Sequence, residues 1–364
     1  MKKIYLIDWN NFIYRMFYWL PEFSTKDWKI VNAIFWMAKF FVQQLVREKP
    51  DYVFFIKDWK WKNFRHELYN EYKSTRDRMP DNLRVQIDDI EKMIRLMWID
   101  IIEKEGYEAD DVIWTLATSL SRPHPNPLLW KEKEQEVFDI YILTWDKDLY
   151  SLVSKNVRIY DTMKKKVFDK EKTKEKFLVD SNMIIDYLAI VWDKSDNIPW
   201  IDWFWPQKAI WLINEIWWID KIYNEVDKIQ SWEKTDKDFP KIIASCFKWK
   251  TFEKLVSSKE NAFLSKKLAT IDLWVDLHDF HIDEYKFSPE KLLNENVKDF
   301  FKSLEFFSLI WEEEKKLQKW EDLWLKVQII QTKDSLDKLF KKITKYKEIT
   351  LDTETTSLKI IEAE

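Results

Sequence analysis

Glycine is almost missing from this chain. Its 364 residues contain one, Gly106, where an ordinary composition of about 7% would supply roughly 25. Such a chain has almost no residue able to take positive φ without steric conflict. Cysteine is scarce too, and the lone Cys246 excludes an internal disulfide framework. There is no apolar run of membrane-spanning length and no signal-peptide pattern, so the sequence reads as soluble and cytoplasmic. Nor does either sign of charge dominate. With 60 Lys and Arg against 64 Asp and Glu the net charge is -4, so overall charge does not announce a nucleic-acid partner and local patches must decide.

What is abundant is tryptophan, with 23 residues, and this excess matches the glycine deficit. The tryptophans follow neither a 3.6 nor a 2.0 period, and they recur after aspartate in Asp8-Trp9, Asp27-Trp28, Asp58-Trp59 and Asp202-Trp203, where Asp-Gly would mark a turn. The stretch from Asp196 to Asp220, DNIPWIDWFWPQKAIWLINEIWWID, becomes an ordinary loop when its tryptophans are read as glycine. The simplest account is a codon reassignment in which UGA means glycine in the source and is written here as tryptophan.

Short apolar runs alternate with helical spacing through the first half. Ile4 to Asp8, Tyr52 to Asp58, Trp98 to Ile102 and Ile140 to Thr144 read as buried strands, and strand alternating with helix predicts an α/β fold with a mostly parallel sheet. Residues 121–136 form a Pro-rich, then charged, surface loop in which His124 is solvated. The pattern divides the chain into a catalytic α/β domain over 1–179, a helical unit over 180–310, a charged linker over 311–325 and a segment of strand, helix and strand over 326–364. That last piece is too short to close its own core, which suggests part of a longer protein.

Acidic residues gather at predicted strand ends and helix starts: Asp8, Asp58, Glu108, Asp110 and Asp111 in YEADD, Asp146 and Asp148 in TWDKD, and Asp193 and Asp196 in WDKSDN. That edge of an open α/β sheet is where ligands bind. Carboxylates brought close repel one another unless cations neutralise them. Oxygen-only ligation without His or Cys selects Mg²⁺ or Mn²⁺, and two such ions could activate water and stabilise the leaving oxygen of a phosphodiester.

Taken in order, Asp8 in LIDWNN, the run KDWKWKNFRHELYNEYKSTR, YEADD, TWDKD and WDKSDNIPWIDWFW resemble the 5′-nuclease domain of bacterial DNA polymerase I and its flap endonuclease relatives. The resemblance covers about residues 1–310 and improves wherever Trp is read as Gly. It implies a PIN-like 5′-nuclease fold with a helical arch and a helix-hairpin-helix subdomain. The implied activity is that of a two-metal 5′-to-3′ exonuclease and 5′-flap endonuclease, a monomer acting on DNA with flaps, nicks or RNA primers in replication and repair. The nine acids above carry over as metal ligands. Lys57 departs from the family, which usually has an apolar residue there.

The stretch from Lys57 to Arg78 holds seven Lys or Arg against four acids. By the resemblance it forms the arch, with Lys73 and Arg76 on the scissile phosphate, Tyr72 stacking on a base and Arg65 as a further DNA contact. Trp203-Phe204-Trp205 corresponds to the Gly-apolar-Gly turn of the hairpin, gripping a DNA phosphate beside a K⁺ ion, with Lys208 adding charge. Asp352 and Glu354 in LDTETT resemble the first motif of a 3′-to-5′ proofreading exonuclease. Two other readings stand beside this one: a PIN-type ribonuclease, and a non-catalytic single-strand-binding protein whose tryptophans stack on bases.

Overall fold

The alternating apolar runs become the centre of a six-stranded sheet. A computed structural model describes residues 1–18, 21–121, 137–191, 196–198, 205–230, 249–270, 275–277, 280–310 and 332–344. The strands are β1 (Lys3–Asp8), β2 (Tyr52–Lys57), β3 (Asp100–Glu103), β4 (Asp139–Leu143), β5 (Val157–Asp161) and β6 (Lys166–Phe168). Their order is β3-β2-β1-β4-β5-β6, and all neighbours run parallel except the β5–β6 hairpin.

Side chains alternate across the sheet. Ile4, Leu6, Phe54, Ile56, Ile140 and Ile142 pack on one face against Val112, Ile113, Leu116 and Ala117 of the Ala109–Ser121 helix. Tyr5, Ile7, Val53, Phe55 and Leu143 pack on the other face with Phe12, Ile34, Met37 and Ile94 from three helices. Each fully buried aliphatic or aromatic side chain stabilises the fold by roughly 1.5–3 kcal/mol. This two-sided burial explains why β1 and β2 read as continuous apolar runs. The chain turns helical from residue 180 onward, but Phe300, Phe301, Phe306 and Leu309 return to the second core. Residues 1–310 therefore pack as one compact unit. In the second unit, 311–364, the Lys333–Ile343 helix is described, while Asp352 and Glu354 lie outside the described residues.

Among the described residues, three tryptophans have positive φ: Trp28 (61°), Trp98 (57°) and Trp217 (84°). Trp28 ends a three-residue hairpin loop in which Trp28 N–H donates to Thr25 O at 3.0 Å and Thr25 N–H to Lys29 O at 2.9 Å. This is a type I turn closed by a left-handed residue, a place for glycine. At Trp98 the Ile87–Leu96 helix stops, with Trp98 N–H donating to Arg95 O and Ile99 N–H to Ile94 O, both at 3.1 Å. That pair of bonds is the Schellman pattern, whose left-handed position also favours glycine. Trp217 caps the Pro206–Ile216 helix, its N–H donating to Ile213 O at 2.8 Å. All three indoles are exposed, at 86%, 67% and 52%, so little apolar burial offsets the backbone strain. On the Asn32–Phe40 helix, the buried indole nitrogen of Trp36 has no hydrogen-bond partner among the described residues.

Two expectations change. Trp9 is the first residue of the Trp9–Tyr18 helix and takes no left-handed turn. It is buried edge-on against Phe55 at 5.8 Å, where it fills the core. Trp59, which also follows an aspartate, is likewise absent from the positive-φ residues. Asp-Trp pairs are thus a weaker guide than helix ends and hairpin loops. Gly106, at φ 82°, has nothing within 4 Å of where a Cβ would sit, so its backbone angle and not space calls for glycine.

Replacing Trp28, Trp98 and Trp217 together by glycine is expected to stabilise the chain by about 1–2 kcal/mol per site, read as a higher urea midpoint. Equal midpoints for the two chains would show the tryptophans to be at home.

Candidate active site

β1, β2 and β4 all end at the same edge of the sheet, and the loop after β3 delivers the start of the Ala109–Ser121 helix there. Asp8 closes β1 with 4% of its surface exposed. One of its oxygens accepts Asn11 N–H at 3.2 Å and the other accepts Thr144 Oγ1–H at 3.0 Å. Asp58 follows β2 and accepts from Ala109 N–H at 2.7 Å, the amide that opens the helix, where a negative charge is favoured. Its second oxygen accepts from Asn10 Nδ2. After β4, Asp146 N–H donates to Thr144 Oγ1 at 3.0 Å and Asp148 N–H to Asp146 Oδ1 at 3.2 Å. Asn10, Asn11 and Thr144 thus hold the acids in place. The sequence reading missed these three, although both asparagines lie inside the quoted LIDWNN.

The carboxylates fall into two electrostatic groups. In the first, burial and then the charges of Asp58 and Asp146 push Asp8 up to about 8. Burial, then Asp146 and Asp8, likewise raises Asp110 well above the usual carboxylate range, with Asp58 adding to the effect. These four acids repel one another. Among the described residues, no three His, Cys, Asp or Glu side chains converge closely enough to chelate one ion. The donor chemistry, buried oxygens destabilised by their own charge, is nevertheless what a hard divalent cation relieves.

The second group is neutralised by the chain itself. Arg65, 2% exposed, forms a two-pronged pair with Asp111 at 2.8 and 2.7 Å. Its Nε also donates to Leu268 O at 3.1 Å. Lys73 Nζ donates to Glu108 Oε1 at 2.7 Å, and Arg76 pairs with Asp196. Burial alone would raise Glu108, but Lys73 and Arg65 hold it down at about 2. Burial would lower Lys73, yet Glu108 and Asp196 raise it above the ordinary lysine value.

These positions revise several sequence expectations. The 57–78 segment contains only the five-residue helix Phe64–Leu68, followed by turns lying on the carboxylates. Arg65 is enclosed and does not face a DNA backbone, and Asp111, with no exposed surface, has both oxygens on that guanidinium. Tyr72 is buried, its hydroxyl donating to Glu108 at 3.1 Å and Asp196 at 3.2 Å, so no ring face is open to a base. The pairing of Arg65 and Asp111 spans 46 residues, and no local spacing reveals it. Trp205 and Lys208, at the start of the Pro206–Ile216 helix, are exposed. Asp193, Trp203 and Phe204 lie outside the described residues, as does His124. Among the described residues no helix is long and apolar enough to cross a membrane.

The family model described as the N-terminal resolvase-like domain of 5′-3′ exonucleases matches residues 3–178, and the one described as their C-terminal SAM fold matches 179–292. A 5′-3′ exonuclease of Aquifex aeolicus is 34% identical over 86% of this chain and 96% of its own length. A DNA polymerase I of Caldicellulosiruptor bescii is 35% identical over 83% of this chain, which spans only 33% of that protein. Among solved structures, zinc-bound T5 5′-exonuclease has a TM-score of 0.55 at 18% identity, covering 83% of this chain and 98% of that one. The catalytic core of Rad2 in complex with DNA substrate has a TM-score of 0.53 at 14% identity, covering 86% and 91%. Both carry the same fold: a mostly parallel sheet flanked by helices, of the PIN-like 5′-nuclease type. With both halves of the nuclease matched in order, and a whole exonuclease aligned end to end, the chain belongs to the 5′-3′ exonuclease family, whose members hydrolyse phosphodiesters.

Proposed function

We propose that this chain is a divalent-metal-dependent 5′ nuclease that cuts DNA bearing 5′ flaps or nicked ends. The observation that carries this reading is the division of the acids. Asp8, Asp58 and Asp146 are held by backbone and side-chain hydrogen bonds, and together with Asp110 they repel one another across one buried edge. A fold keeps such an arrangement where a cation completes it. Mg²⁺ or Mn²⁺ fits the all-oxygen set. Asp148, whose N–H donates to Asp146 Oδ1 at 3.2 Å, and Asp193 belong to the same group by the sequence pattern.

Bound there, divalent ions would lower the pKa of a water and neutralise charge on a phosphodiester. The chain's own part is placement. Asn10, Asn11, Thr144 and the Ala109 amide fix the Asp8 and Asp58 rotamers. Lys73 and Arg76 stand at the rim of the same site, anchored on Glu108 and Asp196, where their charge is available to the scissile phosphate. Trp203, Phe204, Trp205 and Lys208 are proposed to grip the duplex, with a K⁺ ion at the hairpin. The replication and repair setting, including primer removal, is inferred from the DNA polymerase I relatives.

Asp58→Ala and Asp110→Ala are each expected to lower turnover by roughly a hundredfold or more while leaving DNA affinity nearly unchanged, because they act on the chemical step. EDTA should abolish cleavage and Mg²⁺ or Mn²⁺ restore it. Undiminished cutting in EDTA would overturn the metal reading.

Lys73→Ala is expected to slow single-turnover cleavage about 10²- to 10³-fold with little change in Kd, since its proposed partner is charge that develops in the transition state. A variant that lost affinity and kept its rate would instead place Lys73 in substrate binding.

A further inference from the structure

The far end of the Ala109–Ser121 helix, away from the carboxylates, borders a hollow of about 470 Å³. Residues 151–154 after β4, Val157 at the start of β5, Lys170 and residues 180–182 line the rest of it. Spaces of roughly 300–1,000 Å³ hold small molecules. Thr118 follows Asp110 by eight residues on the same helix, and at a rise of about 1.5 Å per residue the hollow begins roughly 12 Å from the acidic site. Its walls are tied to one another. Ser181 Oγ donates to Val153 O at 2.8 Å, Asn156 Nδ2 to Ser121 O at 3.1 Å and Ser154 N–H to Val157 O at 3.0 Å.

The lining changes character with depth. Ala117, Leu152, Val153 and Val157 are buried and make an apolar floor. Thr118 and Ser154 are half-buried and offer hydroxyls, while Lys170 and Asn182 are exposed at the rim. Among the described residues, the side chains of Thr118, Ser154, Lys170 and Asn182 have no hydrogen-bond or ion-pair partner. Other polar groups of the lining are engaged: Ser151 Oγ donates to Asp148 O at 2.5 Å, and Asp180 pairs with Lys174 at 3.0 Å. Lys170 therefore adds a positive charge that no described residue cancels. Trp114 also lines the space, which glycine at that position would only widen.

An apolar floor suits a flat ring, free hydroxyls at mid-depth suit a sugar, and an ammonium at the mouth suits an anionic group. A ring, a sugar and one phosphate make a nucleoside monophosphate, the class of product that a 5′ exonuclease releases from DNA. We propose that this hollow binds a nucleoside monophosphate, with its phosphate on Lys170, its sugar on Thr118 and Ser154 and its base over Val153 and Val157. Bonds from an ammonium to a phosphate are of the stronger, charge-assisted kind. Lys170 then supplies most of the affinity, and the floor favours a ligand that carries a base.

The choice of ligand rests on the nuclease reading, but its test measures binding without cleavage. The full chain would be titrated in a calorimeter with dAMP in EDTA, beside deoxyadenosine, ribose 5-phosphate and inorganic phosphate as controls. The expected Kd for dAMP is below about 1 mM, with each control at least about tenfold weaker. Lys170→Gln should weaken dAMP about tenfold or more, and Ser154→Leu, which fills the hollow, should abolish its binding. Thermal unfolding checks that these substitutions leave the fold intact, and flap cleavage in Mg²⁺ should keep its rate. Asp58→Ala should bind dAMP as the wild-type chain does. No binding, a control that binds as tightly as dAMP, unaltered affinity in both Lys170→Gln and Ser154→Leu, or loss of binding in Asp58→Ala would each overturn the proposal. A chain that bound dAMP through Lys170 but cut no DNA would count against the nuclease reading alone.

Discussion

Repulsion among Asp8, Asp58, Asp110 and Asp146 is the constraint around which this molecule is arranged. Strands carrying like charges at their ends remain paired because the apolar faces behind them, Ile4 and Leu6 on one side and Tyr5 and Ile7 on the other, are fully packed. The hydrophobic cores thus hold together what electrostatics would separate. Hydrogen bonds from Asn10, Asn11, Thr144 and the Ala109 amide then set the direction of the Asp8 and Asp58 carboxylates. The remaining acids, Glu108, Asp111 and Asp196, meet the opposite condition, since the 57–78 segment supplies each with a cation.

The strand ends were legible because period and composition agree there. β1, β2 and β4 are apolar runs closed by an acid or its near neighbour, and the acids appear in order along the chain. β5 and β6 were not singled out: VRIYD mixes charge into its alternation, and KVF is three residues long. The site's outer half was less legible for a different reason. Whether Arg65 faces solvent or Asp111 depends on contacts between residues far apart in sequence, and a basic stretch looks the same in either state. Tyr72 was misjudged likewise, since an aromatic beside charges can stack or be buried.

Tryptophan shows the same split between local and distant information. At Trp28, Trp98 and Trp217 the hydrogen bonds of a hairpin loop or a helix end dictate the backbone angle whatever the side chain. The glycine character of those places is therefore written in their neighbours. At Trp9 no such bond pattern exists, and the surrounding core decides what fits.

The two ends of the 57–78 segment are fastened unequally. At one end Arg65 is enclosed, its fork on Asp111 and its Nε on the carbonyl of Leu268. Removing one partner of such a buried pair costs roughly 3–5 kcal/mol. At the other end the Arg76 side chain is 44% exposed and its partner Asp196 13%, a pair less withdrawn from water than that of Arg65 and Asp111. The segment is thus held by one enclosed ion pair at Arg65 and by a more solvated one at Arg76.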